Sequence, residues 1–215
     1  MSEISVPAAH FLDALDSEGY VKPHRRRDVA LALASYATNG GAGRNLGDAV
    51  HEEITEGRRK ANEERRAKGS PEVPYYSCCD LVHWLLARLG CTDERLVNRT
   101  DDSGERDWQV AVNLSRITGS PHFVRPRHGE TPSPGDALVL DASGGHACIV
   151  RRWEGGLCES DDYGQPYGAR RQRRVEPDGR GGWIAGGRPV IGWLDLEAVP
   201  LEGPAALPVQ VEEGL

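Results

Sequence analysis

A cysteine, a histidine and two acids are spaced along this chain so that one helix and two strands could bring them together. Cys78 stands in Tyr75-Tyr76-Ser77-Cys78-Cys79-Asp80-Leu81-Val82, directly ahead of an aliphatic stretch. A thiol is a useful nucleophile only as thiolate, and the donors and dipole at a helix N-terminus favour that anion. His146 follows Gly144-Gly145 and opens His146-Ala147-Cys148-Ile149-Val150. An imidazole held on a rigid strand is the natural proton acceptor for a thiol near neutral pH. Glu159 and Asp161, in Leu157-Cys158-Glu159-Ser160-Asp161, share one strand face because side chains alternate. If that strand returns beside His146, one of them holds the imidazole by its second nitrogen and fixes its tautomer. Asp162 reads as an ordinary acidic loop residue. Singly, each group has a blander role: a packed thiol, a hydrogen-bonded edge histidine, solvated acids.

The elements that must position these groups fall into two halves. Phe11, Leu12, Leu15, Val29, Leu31 and Leu33 suggest two short helices around the break at Lys22-Pro23. Leu46 to Lys68 reads as a long, charged helix, acidic at its front and basic at its back, ended by Gly69 and Pro71. Such a helix suits the surface or a partner contact. From about Ser77 to Leu89, the residues Leu81, Val82, Leu85, Leu86 and Leu89 form a buried stripe stopped by Gly90. Trp108 to Ile117 reads as a further short helix. After Pro134-Gly135 the pattern turns to strands, at 136–141, 146–150, 157–159 and 189–194, with Gly144-Gly145 and Gly155-Gly156 as turns. Helices followed by consecutive hairpins predict an α+β domain with an antiparallel sheet. The expected organisation is an N-terminal helical segment (1–69), a core (70–200) and a loosely ordered tail (201–215).

Composition narrows the function. With 38% hydrophobic and 27% charged residues in 215, the chain is that of one globular unit rather than a disordered one. A formal charge of −7 argues against nucleic acid as partner. The local exception, Arg170-Arg171-Gln172-Arg173-Arg174, reads as a solvated loop or strand edge, or as a contact for an acidic group. No window reaches the roughly 18 apolar residues of a membrane span, so no membrane partner is expected. Met1-Ser2-Glu3-Ile4-Ser5 lacks a secretory start, which predicts cytoplasmic synthesis and, for any outside action, a non-classical export route. No cofactor or metal is expected. The five cysteines lack CxxC spacing, and His51-Glu52-Glu53-Ile54-Thr55 has Thr where a zinc-protease helix needs its second histidine. Gly41-Ala42-Gly43 with Gly47 does not give the dinucleotide spacing, and there is no Walker-type lysine loop.

Ser77 to Gly90 resembles the nucleophile helix of the NlpC-type and CHAP peptidases, in which a Cys precedes an aliphatic helix ending in Gly. Pro134-Gly135-Asp136 and Gly145-His146-Ala147-Cys148-Ile149-Val150 resemble that family's Pro-Gly-Asp and Gly-His-Val strands, and Glu159-Ser160-Asp161 resembles the Glu-x-Asn of the CHAP branch. Ile191-Gly192-Trp193-Leu194 is similar to its closing strand. The matches run in the family's order over roughly residues 70 to 196. The resemblance implies a papain-like fold, with Cys78 as nucleophile at a helix N-terminus packed on the sheet. It also implies His146 as general base, an acyl-enzyme, and an oxyanion hole that includes the Cys78 N–H. Tyr75 or Tyr76 would flank the substrate. The register of Leu81-Val82 favours Cys78, with Cys79 a competitor where the family usually has Ser. Asp80 replaces Gly, and its charge would oppose thiolate formation. Asp161 stands in place of the Asn.

The function this implies is hydrolysis of amide bonds in peptidoglycan stem peptides or cross-bridges, as in a phage-lysin-like enzyme or an exported effector. A delivery or immunity protein is a compatible partner, though no segment demonstrates one. The alternatives are an intracellular amidase, deamidase or acyl/peptidyl transferase on the same scaffold, and an inactive binding module using the charged helix from Leu46 to Lys68.

Overall fold

The computed structural model describes residues 26–39, 59–60, 62–71, 77–97, 110–127, 129–141, 145–163 and 169–201. Its helices are α1 (Arg26–Asn39), α2 (Cys78–Arg88), α3 (Glu94–Val97) and α4 (Val110–Thr118). The stripe expected from Ser77 to Leu89 is α2, with Leu81, Val82, Leu85, Leu86 and Leu89 all at most 2% exposed. Burying each such leucine contributes about 1.5–3 kcal/mol. His83 and Trp84 on the opposite side are buried as well, because α1, α3 and α4 all pack on this helix. Only the end of the expected charged helix is described: residues 59–60 and 62–67 are helical and stop at a turn over Lys68-Gly69. The first expected helix, around Phe11 to Leu15, and the tail beyond 201 lie outside the described residues. Among the described residues, no helix is long and apolar enough to cross a membrane.

The strands are β1 (Phe123–Val124), β2 (Ala137–Leu140), β3 (His146–Glu154), β4 (Leu157–Asp162), β5 (Ala169–Pro177), β6 (Trp183–Ala185) and β7 (Arg188–Leu194). They pair in the order β7-β2-β3-β4-β5-β6, all antiparallel, and β6 pairs back onto β7. That last pairing closes a six-stranded barrel, with β1 added to the free part of the β7 edge. Gly192 permits the addition: a Cβ there would sit 2.2 Å from the Val124 carbonyl oxygen and 2.7 Å from the Phe123 ring.

This barrel corrects the expectation of a papain-like α+β fold with N-terminal helices packed on a sheet. Among the described residues there are few helices, and the strands form a closed antiparallel barrel instead. The discrepancy arises at β5 and β6, which carry no apolar alternation that would mark them as strands. The basic run expected as a loop or strand edge is the middle of β5, and its pairing with β4 and β6 is what brings the sheet round to β7.

Closure gives two cores. Leu138, Leu140, Cys148, Val150, Cys158, Val175, Ala185, Val190 and Trp193 fill the barrel. Ala137, Val139, Ala147, Ile149 and Leu194 face outward and form a second core with α1, α2 and α4. Val29, Ala30, Leu33, Ala34 and Ala37 of α1 belong to this outer core, so the helix preceding residue 69 packs with α2 rather than apart from it. Asp136 of the Pro-Gly-Asp turn fastens the assembly. It accepts hydrogen bonds from Arg27 of α1 (2.8 Å) and from the N–H groups of Ser133 (2.8 Å) and Leu196 (3.1 Å).

Candidate active site

The site begins where α2 begins. Ser77 is the extended N-cap residue, and its N–H donates to the Asp80 carboxylate at 2.6 Å. This contact starts the helix at Cys78, whose N–H belongs to the first turn that intrahelical bonding leaves unpaired. It also turns the Asp80 carboxylate toward the cap. Cys78 is 8% exposed, whereas Cys79 is fully buried and donates its thiol hydrogen to Cys78. Of the two cysteines, Cys78 is the one that contacts His146.

His146 is the first residue of β3, directly opposite Leu140 on β2. Gly145 before it has φ +67°, and a Cβ there would meet the Leu114 side chain of α4 at 2.1 Å. The strand therefore enters at this angle only with glycine. α2 packs against β3, which places the Cys78 thiol on the His146 ring and within reach of the Ala147 N–H.

The third member is Asp162. His146 Nε2 lies 2.6 Å from Asp162 Oδ2, which leaves Nδ1 for the thiol. Glu159 and Asp161, the residues expected in this role, face outward instead. Asp161 receives hydrogen bonds from Thr38 of α1 (3.2 Å) and Arg151 (2.9 Å), and Glu159 lies among Arg151, Arg152 and Arg170 at 3.5–3.9 Å. The cause is a β-bulge. From the Gly155-Gly156 turn the hairpin pairs Glu154 with Leu157 and Arg152 with Glu159, but Val150 with Ser160. One extra residue on β3 reverses the phase of the pairing. An unbroken ladder would have put Glu159 and Asp161 on the face of His146. With the bulge, Ser160 and Asp162 share it, and Asp162 lies opposite Cys148. The adjacent pair Arg151-Arg152, both turned to outward acids, is the one sequence signal of this slip.

Asp162 is extensively bonded. Ser160 Oγ donates to Oδ1 at 2.7 Å, and Arg173 of β5 donates to both carboxylate oxygens and to Ser160 Oγ. Burial works against the charge, yet the contacts from His146 and Arg173 hold the carboxyl down to about 2. Cys78 is lowered to about 5 by the Cys79 thiol and, against burial, by the hydrogen bond and charge of His146 and by the Ala147 N–H. His146 is raised: burial opposes this, but Asp162 and Cys78 outweigh it. Both shifts favour the charged forms, thiolate at Cys78 and imidazolium at His146. Burial drives the remaining thiols the other way, with Cys91 at about 11, Cys158 at about 12 and Cys148 well above its ordinary value.

His146, Cys148 and Asp162 bring three ligand-type atoms within 4.8 Å of one another. Arg173 already occupies both Asp162 oxygens and Cys148 stays protonated, so this donor set suits an ion pair better than a cation. Tyr75 and Tyr76 lie outside the described residues. Of the basic run, Arg173 points inward and Arg170 binds the outer acids, while Arg171 and Arg174 are exposed. No protein-family model, curated protein or solved structure matches this chain.

Proposed function

We propose that the protein is a cysteine hydrolase that cleaves amide bonds, with peptidoglycan stem peptides or cross-bridges as its substrate class. The observation that carries the chemistry is the contact series from Cys78, at the start of α2, through His146 to Asp162. The substrate class is supported by the ordered resemblance of the Cys78, His146 and Pro134-Gly135-Asp136 segments to those of NlpC-type and CHAP peptidases.

In this reading the Cys78 thiolate attacks the amide carbonyl carbon and the electron pair moves to oxygen. The resulting oxyanion is met by the unpaired N–H at the start of α2. His146 Nδ1 delivers its proton to the leaving nitrogen as the C–N bond breaks, giving a thioester and a free amine. The neutral imidazole then takes a proton from water, whose oxygen attacks the thioester. Collapse releases the acid and restores thiolate and imidazolium. Asp162 accepts from Nε2 throughout, which keeps Nδ1 turned to the reacting atoms.

The test incubates sacculi of several peptidoglycan types with the protein and with Cys78→Ala, and identifies released fragments by mass spectrometry. New stem-peptide ends from the wild type alone support the reading and name the bond. Cleavage by both proteins removes Cys78 from the nucleophile role. Intact sacculi, with the protein folded and Cys78 reactive, would turn the assignment to intracellular amide processing or acyl transfer.

A further inference from the structure

We infer that Arg173 is a positioning residue for this site, its guanidinium clamping the Asp162 carboxylate against His146 from inside the barrel. The inference rests on the hydrolase reading and extends it to the group that holds the triad together.

The geometry is that of a fork. Arg173 Nη1 donates to Asp162 Oδ1 at 3.1 Å and also to Ser160 Oγ, Nη2 donates to Oδ2, and Ser160 Oγ closes the ring on Oδ1. Oδ2 is thus shared between the guanidinium and His146 Nε2, and neither carboxylate oxygen can rotate away from the imidazole without breaking bonds to Arg173. Arg173 is itself fixed. Its side chain is 12% exposed, it stands opposite Cys158, and its stem packs under Gly186, where a Cβ would lie 3.2 Å from Arg173 Cγ.

The electrostatic consequence follows from burial. Asp162, 9% exposed, is faced by His146 and the Cys148 thiol from β3, by Ser160 and the Cys158 thiol on its own strand, and by Arg173 from β5. His146 is faced by Cys78 from α2 and by Asp162, and Cys78 by Cys79, with the Asp80 carboxylate turned to the Ser77 N–H. Arg173 is the one permanent cation in this set among the described residues. Without it, a buried carboxylate beside protonated thiols takes the imidazolium proton, both groups become neutral, and the thiolate loses its counter-charge.

Arg173→Met keeps the stem and removes the fork. The measurement is the rate of Cys78 alkylation by iodoacetamide from pH 4 to 9, with the modified residue identified by mass spectrometry and folding checked by circular dichroism. An upward shift of about two pH units is expected, seen as about a ten-fold slower reaction at pH 6 that recovers by pH 9. In hydrolysis, kcat should fall with KM unchanged. A folded Arg173→Met with the wild-type profile overturns the inference and leaves Arg173 a structural side chain. If that variant does not fold, Asp162→Asn is compared with Asp162→Asn/Arg173→Met, which removes both charges together. Equal alkylation profiles support action through Asp162, and a further shift in the double variant overturns it. Alkylation needs no substrate, so intact sacculi with a shifted profile would sink the hydrolase reading alone. Cleaved sacculi with an unshifted profile would sink this inference alone.

Discussion

Replacing His146 by Ala should turn Cys78 from mostly thiolate to mostly thiol at about pH 6. Its acidity moves from 9.0 to about 5 in the folded protein, four units, or about 5 kcal/mol in favour of the anion. Cys79 is the first contributor, followed by His146 and Ala147 against burial. A neutral S–H is a weak donor, however, whereas the imidazolium brings a full charge. Two unit charges about 4 Å apart, at an effective dielectric of about 20, interact by about 4 kcal/mol, or roughly three pH units. The Cys79 and Ala147 contacts and the helix terminus remain, so His146→Ala should inflect near pH 7–8, by that same Coulomb magnitude. At pH 6 the wild type is about nine-tenths thiolate and the variant about 1–10%, so alkylation should slow roughly 10–100-fold. Iodoacetamide kinetics under pseudo-first-order conditions, read at the Cys78 peptide, measure this directly. Burial keeps Cys91, Cys148 and Cys158 protonated over that range. A His146→Ala protein still inflecting near pH 5 would refute the reasoning, since Cys79 and the helix terminus would then suffice.

Four further outcomes follow from the same geometry. Asp162→Asn should lower kcat by roughly 10²–10⁴-fold through lost tautomer control, while Glu159→Gln leaves it unchanged. Asp161→Asn should cost about 1–3 kcal/mol by weakening the buried contacts to Arg151 and Thr38, without moving the alkylation profile. The Asp162 carboxyl is depressed from 3.8 to about 2, so its contribution is fully present above about pH 4 and is lost as pH falls through 2. That loss is about 2 kcal/mol, and urea midpoints of the wild type against Asp162→Asn between pH 5 and 2 should show it. Gly145→Ala should cost about 1–3 kcal/mol, because φ +67° and the Leu114 side chain at 2.1 Å both resist a Cβ. Slower Cys78 alkylation at pH 6 in the same variant would report displacement of His146.

What could be read from the chain alone was local. The aliphatic stripe from Leu81 to Leu89 marked α2, because period 3.6 is a property of neighbouring residues, and the cysteine at its head followed from the cap. Gly145-His146 before an apolar run marked the start of β3 for the same reason. Barrel closure was not legible, since β7 must pair with β2, far away in sequence, and since β5 and β6 lack apolar alternation, the inward arginine of β5 being compensated by an acid on another strand. The third member of the site was not legible either. Alternation tells which strand residues share a face, but pairing register decides which face meets the histidine, and one extra residue beside Arg151 exchanges Asp161 for Asp162. The sequence by itself determined which residue types were available and which elements present Cys78 and His146. Only the tertiary structure decided which acid completes them and which arginine holds that acid. Both of those choices are made across strands, by hydrogen-bond register and burial rather than by neighbours along the chain.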